Sequence, residues 1–320
     1  MADEEVGAGR RAAESRRGPR SRFQWLNDTL LSTMFLSPTL VVLLFVAIFP
    51  LIWSLYLSFT EYSVIRDAGA WTSAPWIGLR NYQTLLRDPQ LWQRFQITAG
   101  FVVPTVAVEF LFGFGIALLL NRDFKARSFI TTVILIPMML STVVVGLFWR
   151  FMLQTDFGII DYFIRDVFGL RPVFWLTERL PARMALVLVD TWQWTPFIVL
   201  ISLAGLSAVP KYLYEAADID QASAWFKFRQ ITLPLVSPLL VIAILFRLMD
   251  TYKLFELVWV LTGGGPGDST KNVPVYLYKI AFGSFKTGEA SGIGYIMLVV
   301  VIALASLLIR VLNQMRAEEA

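Results

Sequence analysis

The feature that most constrains this chain is a set of long apolar blocks, near residues 32–59, 97–120, 128–149, 184–206, 238–261 and 291–313. About 20 apolar residues cross a bilayer core as one helix. Lipid offers no water to backbone polar groups, so a spanning segment must pair them internally, which leaves helices or closed barrels. Barrel strands are about ten residues long and alternate in polarity; these blocks are longer and continuous. Charged residues make up 16% of the chain, against about 25% in soluble domains. The reading is an all-α polytopic membrane protein with six transmembrane helices and a short amphipathic helix outside the bilayer. The second block contains Glu109 and the fourth Asp190, and the second half of the fifth carries Arg247, Asp250, Lys253 and Glu256.

The spans divide the chain into a basic tail at 1–28, a membrane domain at 29–313 and a short tail at 314–320. The tail carries Arg10, Arg11, Arg16, Arg17, Arg20 and Arg22, and Lys/Arg-rich flanks stay on the cytoplasmic side. The short 121–127 loop, with Arg122, Lys125 and Arg127, agrees. Six crossings then place both termini in the cytoplasm. The net charge of +4 sits mainly in this tail and reads as orientation, not as nucleic-acid binding. The absence of Cys and His excludes disulfides, Cys/His metal sites, thiol nucleophiles and histidine acid–base chemistry.

The loop at about 209–234 is the most informative stretch. It reads Glu215-Ala216-Ala217-Asp218-Ile219-Asp220-Gln221-Ala222, followed by Phe228, Ile231, Leu233, Pro234 and Pro238. Glu215, Ala216, Ala217 and Ala222 favour helix. Acids early and Lys227 and Arg229 late suit the helix dipole. The Leu233-Pro234 pair predicts its end. From residue types alone this is a surface helix that rests on lipid headgroups or docks on a partner. In spacing it resembles the EAA loop of permease subunits of binding-protein-dependent ABC importers. The usual Gly of that motif is here Gln221. Asp190-Thr191-Trp192-Gln193-Trp194-Thr195-Pro196-Phe197 and Leu261-Thr262-Gly263-Gly264-Gly265-Pro266-Gly267 also resemble motifs of this family, in its maltose and glycerol-3-phosphate permease branch.

The resemblance, over roughly 30–313, implies one half of the translocation path of an ATP-driven importer for a sugar or sugar-like solute. It would sit in a bacterial or archaeal plasma membrane with a second permease subunit, two ATP-binding subunits and an extracytoplasmic solute-binding protein. Glu215, Ala216, Ala217, Asp220, Gln221 and Ala222 would form the ATPase-coupling surface, Glu215 pairing with a partner's basic group and the alanines permitting close approach. The chain itself binds no cofactor in this reading; ATP and magnesium belong to the partner ATPase. The Gly263–Gly267 run is not a P-loop, because no Lys follows it in the required place.

Charged groups inside spans are costly and face a cavity or one another. Asp190, Gln193, Trp194 and Phe197 fall on one helix face. An acid, an amide and two rings suit a sugar's hydroxyls and apolar ring face; equally, the rings can pack on a neighbouring helix while Asp190 pairs with an Arg. Arg247, Asp250 and Thr251 share one face of the fifth span, with Arg247 and Asp250 as an i, i+3 ion pair; the resemblance implies a solute near these two faces, which adds Thr251 and Tyr252 to the candidates. Glu109 is expected to pair internally. No catalytic set is visible, so the chain reads as a transport subunit and not an enzyme. Two rivals stand beside it: an ion-coupled secondary transporter or channel using Asp190 and Glu109, and a non-transporting membrane scaffold.

Overall fold

A computed structural model describes residues 22–67 and 74–318; most of the expected basic tail lies outside them. The chain forms two compact units, Met1–Tyr56 and Leu57–Ala320. In the first, helix α1 (Arg22–Leu43) passes through a π-helical turn (Leu44–Ile48) into α2 (Phe49–Ser58). Pro50 lies just beyond the π turn. Its ring has no N–H and crowds the carbonyl four residues back, and the register widens to the Phe49 N–H to Leu44 O bond. Phe35, Leu40, Leu44, Phe45 and Val46 are all exposed, the pattern of a helix solvated by lipid chains. Phe45, Phe49, Trp53 and Tyr56 stack in a ladder along it.

The second unit continues with α3 (Arg80–Arg87), α4 (Pro89–Leu120), α5 (Arg127–Leu135), α6 (Thr142–Met152), α7 (Ile159–Tyr162), α8 (Arg179–Ala208), α9 (Lys211–Ile219) and α10 (Ala224–Lys227). It ends with α11 (Leu233–Tyr252), α12 (Glu256–Leu261), α13 (Val273–Tyr278) and α14 (Thr287–Glu318). Across the described residues, five helical stretches are long and apolar enough to span a bilayer, and a bent pair makes a sixth. Helices α4, α8 and α11 pack against one another as the core. Small residues let them close up: a Cβ at Gly113 of α4 would lie 2.6 Å from Ile198 of α8, and one at Gly205 of α8 would lie 2.8 Å from Val236 of α11.

Three elements differ from the sequence expectations. The third span is not one helix: Arg127–Met139 and Thr142–Met152 meet at 95°. Pro137 opens a 3-10 turn, after which Leu140 and Ser141 are extended. The fifth span runs earlier than expected, Ala224–Tyr252, and residues 256–261 form the separate helix α12 packed on α6. Leu233-Pro234 does not end the amphipathic segment. A π turn (Phe228–Thr232) carries the chain straight into α11, with Pro234 just after the turn.

The stop of α9 lies at Asp220–Gln221 instead. Gln221 has φ of 52°, the left-handed region that a side chain disfavours by roughly 1–2 kcal/mol. That is the position where the motif normally holds Gly. Gln221→Gly is expected to raise the thermal midpoint by about 1–2 °C, part of the relieved strain being offset by chain entropy. Gln221→Val should lower it. Melting of the detergent-purified protein checks both, and equal midpoints for the two variants would contradict the strain.

Candidate functional site

Halfway along the core, Arg247 of α11 is 2% exposed and joins all three central helices. Its Nε and Nη2 donate to the two oxygens of Glu109 on α4 at 2.7 and 2.8 Å. Nη2 also donates to Asp190 of α8 at 2.8 Å, and Nη1 to Asp250 at 3.0 Å. Four of the guanidinium's five N–H donors are thereby engaged. The Trp194 ring lies 4.9 Å from the guanidinium carbon, within cation–π range. A guanidinium suits this place because its fork meets a carboxylate with two bonds at once.

Beside this hub an open cleft of about 420 Å³ is lined by Ser141, Thr142, Val143, Trp194, Asp250, Lys253, Leu254 and Glu256. The break in the third span forms one wall. Its freed Leu140 carbonyl accepts from Gln193 Nε2 at 3.1 Å, and the same nitrogen reaches Thr142 Oγ1 at 3.2 Å. A buried amide thus satisfies the backbone that the break exposes, as apolar surroundings require. The end of α11 at Tyr252 forms the other wall and brings Lys253 and Glu256 into the lining; Lys253 Nζ sits 3.7 Å from an Asp250 oxygen.

Of the residues singled out from sequence, Trp194 and Asp250 line the cleft. Asp190, Gln193, Arg247, Thr251 and Tyr252 are buried and stand behind its walls, and Phe197 is half-buried outside the lining. The Arg247–Asp250 pair is present, and Glu109 pairs internally. Among the described residues, Asp190 Oδ1, Gln193 Oε1, Thr251 Oγ1 and Tyr252 OH have no hydrogen-bond partner. Sequence reasoning missed Ser141 and Thr142, which the hinge exposes. It also kept Lys253 and Glu256 inside one continuous block reaching 261, where the helix in fact stops at Tyr252.

At one end of the core, α9 presents Glu215, Ala216, Asp220 and Gln221 to the outside, with Ala217 buried and Ala222 half-buried. A shallow concavity of about 520 Å³ is lined by Leu213, Ala216, Ala217, Asp220, Ala222, Ser223 and Phe226. Tyr214 pins the back of α9, its hydroxyl 2.8 Å from Thr232 Oγ1, and Lys227 reaches Asp218 at 2.6 Å.

Residues 109–316 match the family of binding-protein-dependent transport system inner membrane components. The chain belongs to this family. It is therefore the permease subunit of an ABC importer, a membrane component that spans the bilayer several times and not an enzyme. The permease is 35% identical to the trehalose/maltose transport system permease protein MalF of Thermococcus litoralis, over 83% of this chain and 87% of the relative. It is 30% identical to the trehalose transport system permease protein SugA of Mycobacterium tuberculosis, over 93% and 92%. A solved bacterial ABC transporter involved in import of the acidic polysaccharide alginate shares the fold, at TM-score 0.79 and 22% identity over 92% and 99%. Membership in this family removes the secondary-transporter and scaffold readings.

Proposed function

We propose that the cleft beside Arg247 is this permease's share of a carbohydrate path, and that α9 couples it to an ATPase. The observation that carries the reading is the composition of the cleft: an aromatic face at Trp194, hydroxyls at Ser141 and Thr142, and charges at Asp250, Lys253 and Glu256. An aromatic platform takes the apolar face of a sugar ring, and convergent polar groups take its hydroxyls. Relatives named for trehalose and maltose transport support the same solute class. In this reading α9 and both termini face the cytoplasm. A second permease completes the path, two ATP-binding subunits drive it, and a binding protein delivers the solute from outside.

Asp190, Gln193 and Arg247 act here as the scaffold of the wall, and Thr251 and Tyr252 as groups that a change of conformation would expose. ATP drives the cycle by binding one state of the assembly better than the other. Reconstituted with its partners, the permease should take up sugar only with ATP inside the vesicle and without response to a protonophore. Trp194→Ala and Asp250→Asn should each reduce uptake about tenfold, the equivalent of about 1.4 kcal/mol, with unchanged amounts of assembled complex. Undiminished uptake in both variants would remove the cleft from the path.

A further inference from the structure

A second cavity, of about 230 Å³, lies between α4 and α8 at the end of the core opposite α9. Gln93, Gln96 and Gly100 line it from α4, Arg183 from α8, and Thr270 and Asn272 from the loop after α12. Arg183 and Asp190 are seven residues apart on α8, about 10.5 Å along the axis, so this cavity sits above the central network.

Its groups divide into committed and free. Thr270 donates to Gly265 O, and Asn272 holds Leu254 O and Val275 N; both are structural rims. Arg183 Nε donates to Ser269 O at 2.8 Å, which fixes the guanidinium plane. Among the described residues its two terminal nitrogens meet no acceptor, and neither Gln93 nor Gln96 has a hydrogen-bond partner. Gly100 occupies a helix interior, where glycine weakens the helix, yet a Cβ there would meet nothing within 4 Å. Helix packing does not require this glycine; it leaves the cavity open.

The surrounding field is positive. Asp268 is bound by Arg94 and Lys271, Arg179 lies against Gly267, and Lys279 donates to Gly263 O. With Arg183 on Ser269 O, five cations lie on or against the 263–271 loop, whose one carboxylate is Asp268. Burial first, and then the like charge of Lys271, hold the Lys279 ammonium below the usual lysine range. A field of this sign concentrates anions, and Gln93, Gln96 and Arg183 are exposed and open to an arriving solute. The volume falls below the roughly 300–1,000 Å³ of pockets for drug-sized ligands and suits one ring.

We propose that this cavity is a second solute station, a site for the acidic ring of a uronate-type sugar. Arg183 takes the carboxylate with its two free nitrogens, a geometry guanidinium favours, and Gln93 and Gln96 take ring hydroxyls. The proposal rests on the carbohydrate reading but not on the central cleft. The test is saturation-transfer NMR on the assembled transporter in phosphatidylcholine nanodiscs, with glucuronate and glucose as probes. Glucuronate should bind about tenfold more tightly than glucose. Arg183→Gln should weaken glucuronate roughly tenfold, the scale of one charge-assisted contact. Gly100→Leu, which projects a side chain into the open space at the cavity wall without touching the Arg183–Ser269 bond, should do the same. Equal binding of glucose and glucuronate, or undiminished binding in both cavity variants, overturns the proposal. So does displacement of glucuronate by phosphatidylglycerol in the disc, which would mark a lipid headgroup site. Glucuronate binding that persists while no sugar is taken up would sink the transport reading and leave this station standing.

Discussion

Arg247→Ala is expected to remove most of this permease from the membrane. The substitution leaves the Glu109 and Asp190 carboxylates, 0% and 1% exposed, with no cation among them, and breaking a buried pair from one side costs about 3–5 kcal/mol. That is comparable with a large part of the about 5–15 kcal/mol that holds a domain folded. Quantifying folded protein in membranes by fluorescence-detected size exclusion reads the loss. Arg247→Lys should rescue little, because an ammonium cannot meet Glu109 with two bonds while also reaching Asp190 and Asp250. The decisive control is a triple variant, Arg247→Met with Glu109→Gln and Asp190→Asn. It removes the cation and both buried charges together, and replacing a whole buried ion cluster is often near neutral. Wild-type amounts of the single alanine variant would contradict this account. Failure of the triple variant to recover would show that the hub is needed for its geometry and not only for charge balance.

The hub also shows what could be read from sequence and what could not. The Arg247–Asp250 pair was legible because both ends lie on one helix, three residues apart. The Arg247–Glu109 bond joins residues 138 positions apart, and no spacing rule reaches that far. Placing Asp190, Gln193, Trp194 and Phe197 on one face was sound helix geometry. A face does not name its neighbours, however: Asp190 meets Arg247, Gln193 meets the Leu140 carbonyl, and only Trp194 reaches the cleft. The broken span was the hardest feature to foresee. The third block was read as one uninterrupted span, and a 95° break in an apolar segment is tolerated because Gln193, more than fifty residues away, satisfies the exposed carbonyl. The shortened fifth helix follows the same logic. Lys253 and Glu256 look like intruders in a continuous span, and become cleft residues once the helix stops at Tyr252.

In the proposed function, these breaks connect the central network to the solute path. A rigid six-helix bundle offers little room for a polar solute. Here two interruptions, at Leu140–Ser141 and at Lys253–Phe255, face each other across Trp194 and Asp250, so irregular backbone occurs where it lines a cavity. Asp250 belongs both to the cleft and to the hub. It is 42% exposed, while its partner Arg247 is 2% exposed. On the proposed path, a solute hydroxyl that engages Asp250 would compete for an oxygen that also accepts from Arg247, linking occupancy of the cleft to the packing of α4, α8 and α11.

At the opposite end of that linkage, Glu215→Lys is expected to abolish ATP-dependent uptake without affecting insertion. Glu215 is exposed on α9 and makes no hydrogen bond or ion pair among the described residues, so its replacement removes nothing from the fold; surface changes of this kind stay within about 0.5 kcal/mol. Its neighbours define a surface built for contact. Ala216 and Ala217 open the concavity, Phe226 lines it, and Ile219 beside it is 83% exposed, an arrangement that gains only when covered. Truncating a charge paired across such an interface costs about 2–5 kcal/mol, and reversing its sign adds repulsion. Association with the ATP-binding subunit should weaken by roughly 30-fold or more. Co-purification and ATP-driven uptake read this loss, against an unchanged thermal midpoint of the isolated permease. Ala216→Trp separates charge from shape, since it fills the concavity while leaving Glu215 in place. If it too loses the ATPase, the partner enters the concavity; if only Glu215→Lys does, the contact is electrostatic and stops at the rim. Undiminished co-purification in both variants would mean that α9 does not carry the coupling.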